Sequence, residues 1–268
     1  MRSIPPLLVV PCLLGAALLS LTCGDAPPGP GSTVAATPDQ TPPSQWFTDV
    51  TDEVGLDFVH GAVAADRLDM PAVMSGGAAL LDFDNDGDLD IYLTNGQDVL
   101  PRERVDDGGR NRLYRREADG RYTDVTAESG LGDAGYGMGI AVGDIDNDGW
   151  VDVFVTNYGP DRLYRNLGDG SFADVTASAG VKVDGWSASA VFCDFDRDGF
   201  LDLYVNRYVD YLPTKRCSAK DGRQDFCGPE SFRPIHDVLL HNHGDGTFRD
   251  ITEAVGIAAT FAAGLGVV

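Results

Sequence analysis

A nine-residue pattern occurs three times in this chain and narrows what it can fold into. It reads DFDNDGDLD over residues 82–90, DIDNDGWVD over 144–152 and DFDRDGFLD over 194–202. Every copy has Asp at positions 1, 3, 5 and 9 and Gly at position 6. Gly lacks a Cβ and permits the sharp turn that would draw the early side chains together. Carboxylates at this spacing can converge on one hard cation, and three copies argue against coincidence. The expectation is a repeat protein with an oxygen-lined cation loop in each repeat.

Each loop runs into a short alternating segment: DIYLTN (90–95), DVFVTN (152–157) and DLYVNR (202–207). Such alternation reads as strand. A second motif accompanies the first. It is NRLYRREADGRYTDVTAESGL at 111–131, DRLYRNLGDGSFADVTASAGV at 161–181 and DVLLHNHGDGTFRDITEAVGI at 237–257. The order is strand, Asp loop, strand, connection, strand, Asp-Gly turn, strand. In the second unit the strands are expected near 139–144, 152–158, 162–167 and 172–176. Four antiparallel strands per unit, in units of roughly 40 to 75 residues, are the sequence form of a β-propeller blade. The fold class is therefore all-β, a β-propeller of four-stranded blades, with three complete blades and partial ends. Antiparallel order places all Asp loops on one face and a long insertion, 207–236, on the other. Tyr114, Tyr164, Phe172 and Phe248 recur with the repeat and read as packing residues.

The expected ligands follow from the spacing. In the first loop they are Asp82, Asp84, Asp86, the carbonyl of Asp88, and Asp90. In the second they are Asp144, Asp146, Asp148, the carbonyl of Trp150, and Asp152. In the third they are Asp194, Asp196, Asp198, the carbonyl of Phe200, and Asp202. All-oxygen sets with several carboxylates suit Ca²⁺ better than Mg²⁺, which keeps its waters. Transition metals would call for His or Cys, and the pattern places neither in the ligand set. An EF-hand needs Glu at position 12, where this chain has Leu93, Val155 and Val205. About three Ca²⁺ sites are expected. Asp-rich turns that bind nothing are the plain alternative, weakened by three complete copies.

The net charge of −22 repels phosphate backbones and anionic lipid surfaces, so nucleic acid is not an expected partner. The N-terminus reads as a targeting segment. Arg2 precedes an almost wholly apolar run, Ile4 to Leu21, followed by Thr22 and Cys23. Residues 1–23 are expected to be a signal peptide of lipoprotein type, with Cys23 as the lipid acceptor. Ordinary secretion and an uncleaved anchor remain open. Residues 24–45, rich in Pro, Gly, Ser and Thr, read as a disordered tether. Residues 46–268 are the folded part. All three readings put it outside the cytosol, with membrane contact only through the anchor. Cys12 would leave with the signal, and Cys193 in AVFCDFD reads as a buried small hydrophobe. In an oxidising compartment Cys217 and Cys227 are expected to pair, a zinc pair being the weaker option.

The fragment WFTDV at residue 46 matches a fourth strand with no earlier strands before it, and AAGLGVV (262–268) matches the run GYGMGIAV (135–142) that leads into the second loop. These ends are expected to belong to a longer protein. His241-Asn242-His243 spells HNH, the letters of a nuclease motif, but sits in a hairpin and reads as strand filler. No G-x-S-x-G elbow or phosphate loop is present.

DxDxDGxxD followed by an apolar strand resembles the FG-GAP/VCBS repeat of integrin-α-type propellers. Joined to the LYRN, GDGSF and DVT runs and to CGPESF (227–232), it resembles more narrowly the cartilage acidic protein 1 (ASPIC/UnbV) family. The resemblance covers roughly residues 46–268. It implies an extracellular Ca²⁺-binding propeller, in a family whose C-terminal ASPIC/UnbV domain does not follow in this sequence. The expected function is a non-enzymatic binding, adhesion or scaffold module at the cell surface with an extracellular protein or glycan partner. The alternative is a propeller-type enzyme acting on extracellular glycans or polymers.

Overall fold

In the computed structural model, residues 47–61, 68–74, 76–96 and 109–267 are described. The targeting segment, the tether, Cys12 and Cys23 lie outside them. Among the described residues no helix is long and apolar enough to cross a membrane.

Three antiparallel four-stranded sheets follow one another along the chain. A helical turn, α1 (Thr51–Val54), precedes the first sheet of β1 (Ala78–Leu81), β2 (Asp90–Leu93), β3 (Arg112–Arg116) and β4 (Tyr122–Asp124). A second turn, α2 (Thr126–Ser129), leads to β5 (Gly137–Gly143), β6 (Asp152–Asn157), β7 (Arg162–Asn166) and β8 (Phe172–Asp174). The third sheet opens with β9 (Ser187–Cys193) and β10 (Asp202–Arg207). The chain then leaves it for two small hairpins, β11 (Val209–Asp210) with β14 (Arg233–Pro234), and β12 (Cys217–Ser218) with β13 (Gln224–Asp225). It returns as β15 (Val238–Asn242) and β16 (Phe248–Asp250).

The expected strands of the second unit are observed with small shifts. β5 begins two residues early, with a register irregularity between Gly137 and Gly139. The innermost strands come close here: a Cβ on Gly139 would stand 2.9 Å from the carbonyl oxygen of Ala188. β8 ends at Asp174 because its carboxylate accepts the N–H of Thr176 and turns the chain. The Thr176 hydroxyl then accepts the N–H of Leu163 in β7. Thr126 and Thr252 repeat this on Leu113 and Leu239, so each DVT or DIT run locks its own third strand.

Apolar side chains fill the spaces between consecutive sheets. Leu81, Phe83, Tyr92 and Leu113 of the first sheet pack on Val153, Val155, Tyr164 and Phe172 of the second. Phe154, Leu163 and Val181 of the second unit pack on Leu203, Val205, Leu240 and Phe248 of the third. Tyr114, Tyr164, Phe172 and Phe248 are all buried, as packing residues should be. Every residue of β6 is buried, which explains its near-continuous apolar sequence.

Two expectations about the ends need correction. Phe47–Val50 form no strand; the first DVT run keeps only its turn, in which Asp49 accepts from Thr51. Residues 262–267 form no strand either, apart from a bridge between Ile235 and Ala262. A strand needs a neighbouring ladder, and these runs have none among the described residues. Cys193 is half-buried, since the last residue of β9 lies at the sheet's margin beside the third loop.

Strand direction sorts the functional features. β1–β2, β5–β6 and β9–β10 are joined by the Asp loops at one end of the sheets. The insertion after β10 leaves from the opposite end. There Tyr208 and Tyr211 meet Trp186, with ring centroids 5.0 and 5.3 Å away, and Phe232 lies 4.9 Å from Tyr211. Trp186 is fully buried beneath them. A disulfide joins Cys217 to Cys227.

Candidate metal centres

The three loops share one construction. The position-1 carboxylate grips the turn. Asp82 accepts the N–H groups of Asp86 and Gly87 at 3.1 and 3.0 Å. Asp144 and Asp194 do the same for Asp148 and Gly149 and for Asp198 and Gly199. Gly87, Gly149 and Gly199 have φ of 91°, 90° and 95°, the left-handed region that a side chain would oppose. Position 4 is left-handed too, at Asn85, Asn147 and Arg197. Asn tolerates that conformation. The Asn85 amide donates to the Gly149 carbonyl and that of Asn147 to the Gly199 carbonyl, each at 3.0 Å, so each loop is tied to the next.

Position 5 stabilises the exit from the turn. Asp86, Asp148 and Asp198 accept the N–H groups of Asp88, Trp150 and Phe200. The carbonyls of those three residues, expected as ligands, therefore sit on a turn fixed from both sides.

Position 9 is fully buried in every copy: Asp90, Asp152 and Asp202 are 0, 1 and 0% exposed. Each accepts one N–H from its own loop and one from the third strand. For Asp90 the donors are Phe83 and Arg116, for Asp152 Ile145 and Asn166, and for Asp202 Phe195 and Asn242. Burial pushes Asp90 up to about 6 and Asp152 up to about 7, despite those backbone donors. Such carboxylates favour a positive charge close by.

Position 3 is left over. One carboxylate oxygen of Asp84 and one of Asp146 are buried without a hydrogen-bond partner. Both groups are held above the usual carboxylate range, first by burial and then by neighbouring carboxylates of their own loop. For Asp146 the nearby guanidinium of Arg165 partly opposes this. A buried acceptor with no donor is costly, and a cation would satisfy it.

The structure brings most of the expected ligands together. Within each of three groups, one oxygen per residue lies within 4.8 Å of the others: Asp82, Asp84 and Asp86; Asp144, Asp146 and Asp152; Asp194, Asp196 and Asp198. Asp90 stands outside the first group and Asp148 outside the second. Asp148 faces Arg165, whose Nε lies 2.7 Å from Asp146 and whose Nη2 lies 3.4 Å from Asp148. The Asp88 side chain pairs with Arg116.

His241 is a neighbour of the third loop that the spacing does not single out. It lies in β15, as the reading of the HNH letters expects, and its Nδ1 is 3.0 Å from Asp202 and 3.6 Å from Asp196. The three form a further group that could hold a metal ion. A nitrogen donor, which the spacing does not place in the ligand set, thus stands beside the third loop. A signal was available: RLYRR, RLYRN and VLLHN align, and the strand pairing sets Arg115, Arg165 and His241 at one position.

The next position joins the sheets. The Asn166 amide donates to the carbonyls of Phe83 and Val151, and the Asn242 amide to those of Ile145 and Leu201. Each Asn thereby binds its own loop to the loop of the preceding sheet.

Residues 82–155 and 144–205 match the FG-GAP-like repeat family. No curated protein matches the chain. Among solved structures, the chain is similar to a lectin of Agrocybe aegerita described for specific recognition of non-reducing terminal N-acetylglucosamine. Identity is 17% and the TM-score 0.31, over 66% of this chain and 51% of that one, so this chain spans about half the length of that structure. The first repeat match opens at Asp82 and the second at Asp144, the first position of the first and second loops, so these stretches are similar to FG-GAP-like repeats.

Proposed function

We propose that this is a Ca²⁺-stabilised β-propeller of the ASPIC/UnbV kind, displayed outside the cell as a non-enzymatic binding or scaffold module for a protein or glycan. The observation that carries the reading is the repeated loop, in which buried position-3 oxygens of Asp84 and Asp146 face carboxylates and lack a donor. The residues fit a hard cation. Positions 1, 3, 5 and 9 supply carboxylates, and the amides that grip them leave further lone pairs for an ion.

Ca²⁺ would neutralise carboxylates that otherwise repel each other across a few ångströms. The chain's own residues do the positioning. The position-1 carboxylates close the turn, and the buried position-9 carboxylates tie the loop to the third strand. Asn85, Asn147, Asn166 and Asn242 carry the order of one loop into the next sheet. An ion would therefore stiffen one end of all three sheets together. Sheets ordered this way present connecting loops for recognition at little conformational cost.

Melting of the full chain in Ca²⁺ and in excess EDTA tests the structural role. A rise in Tm with Ca²⁺ is expected. Identical melting curves would overturn it. Secretion and lipidation are read separately, by labelling with a lipid analogue and its loss in Cys23→Ala.

A further inference from the structure

We propose that the third loop takes a transition-metal dication of the Zn²⁺ class through His241, Asp202 and Asp196, so that the three loops differ in the ion they prefer. This deepens the reading of the loops as cation sites and rests on it. The position filled by His241 carries Arg115 in the first unit and Arg165 in the second. A guanidinium has no lone pair to offer a metal, and in the second unit it sits against Asp146 as a cation itself. An imidazole nitrogen can ligate, and it moves a site's preference from Ca²⁺ toward Zn²⁺ and its neighbours.

The distances suit a shared ion. Two ligand atoms each about 2.1 Å from one metal stand about 3.0 Å apart at a right angle and about 3.4 Å apart at the tetrahedral angle. His241 Nδ1 lies 3.0 Å from Asp202 Oδ1 and 3.6 Å from Asp196 Oδ2. A simple His–Asp hydrogen bond accounts for the first contact and leaves the second carboxylate on the same nitrogen unexplained.

The supporting shell is also in place. Asp202 is fully buried, and the N–H groups of Phe195 and Asn242 fix its two oxygens while leaving a lone pair on each. The Phe195 ring packs edge-on against His241 with centroids 6.0 Å apart, which sets the imidazole plane. Ligands held by such partners bind metal more tightly than free ones. Asp196 comes from the exposed turn and leaves the site open on the solvent side.

The test is a Zn²⁺ titration of the full chain in saturating Ca²⁺, counted by native mass spectrometry and followed by calorimetry. One Zn²⁺ per chain is expected. His241→Gln should weaken its binding at least about ten-fold, and Asp196→Asn should do the same from the exposed turn, where folding is not at risk. His243→Gln, whose ring lies 5.3 Å from that of His241, should leave it unchanged. No Zn²⁺ uptake, or uptake equal in His241→Gln, Asp196→Asn and the parent, would overturn the proposal. The Ca²⁺ count is a separate arm: if no loop takes Ca²⁺, the hard-cation reading fails, while the His241 variants still decide the Zn²⁺ site.

Discussion

The two ends of the sheets are held by different physics. At the Asp-loop end, twelve-fold repetition of one side chain (Asp at four positions in three loops) builds cages that accept backbone N–H groups and still carry uncompensated charge. At the far end little repeats, and an insertion that brings three rings, Tyr208, Tyr211 and Phe232, to Trp186 and carries a disulfide does the holding. If the proposed cation binding holds, the first arrangement depends on what is dissolved in the solvent and the second does not. A chain built this way can have one face whose order tracks divalent ions and another whose order is constant.

The largest expected effect lies at the constant end. Trp186→Ala empties a fully buried site between Tyr158, Tyr208 and Tyr211. It should cost about 3–5 kcal/mol, by the same amount in Ca²⁺ and in EDTA. Urea denaturation in both conditions measures this. A cost that grew in EDTA would break the division between the two ends. The paired substitution Cys217→Ser with Cys227→Ser should cost about 2–3 kcal/mol, also independent of Ca²⁺.

The next effect lies at the Asp-loop end. Asp146→Asn removes charge from the position-3 group whose buried oxygen has no donor. In Ca²⁺ at about a hundred times Kd, one site contributes about 2.7 kcal/mol. The variant should lose that share of the Ca²⁺-dependent rise in stability and change little in EDTA. An equal loss in both conditions would mean that Asp146 serves its ion pair with Arg165 alone. Asn166→Ala should act at the Asp-loop end in both conditions. It removes one amide donation across the first seam, to Phe83, and one to Val151 of its own loop, and should cost about 1–3 kcal/mol with or without Ca²⁺. It should also lower the cooperativity with which the first two loops respond to the ion, read from the Ca²⁺ titration curve.

Much of this division was legible in the sequence, and for a definite reason. The strands, loops and turns repeat, so each was read three times, and Asp82, Asp144 and Asp194 stand where the spacing put them. The DVT turns, with Thr126, Thr176 and Thr252 locking the third strands, were visible as recurring letters even before their hydrogen bonds were known. What escaped was any role set by the neighbouring element. Asp148 stands outside the second carboxylate group, with Arg165 near it from β7, and His241 joins Asp196 and Asp202 from β15. Both contacts join residues far apart in the chain, and the repeat alignment marked the position without revealing that its side chain faces the loop. The ends failed for a related reason: WFTDV and AAGLGVV carry strand-like letters, but a strand exists only beside a partner.

The smallest expected effect sharpens the comparison by placing a single carboxylate at the far end. Asp161 is 1% exposed and accepts from the N–H of Asn157 and the hydroxyl of Ser187. Burial pushes it up to about 8, against the pull of those donors and of the guanidinium of Arg207, with Asp184 adding repulsion. The folded chain therefore holds a proton that the unfolded chain, with an ordinary carboxylate near 3.8, has released. Its contribution to stability is complete below about 4 and is lost as pH rises through about 8. Asn at this position keeps the shape and the acceptor and cannot titrate. The parent should lose stability relative to Asp161→Asn on going from pH 7 to pH 8, by less than about 1.4 kcal/mol, and the difference should be the same in EDTA. A difference that vanished on chelation would tie Asp161 to the Asp-loop end, and the two ends would then be one cooperative system.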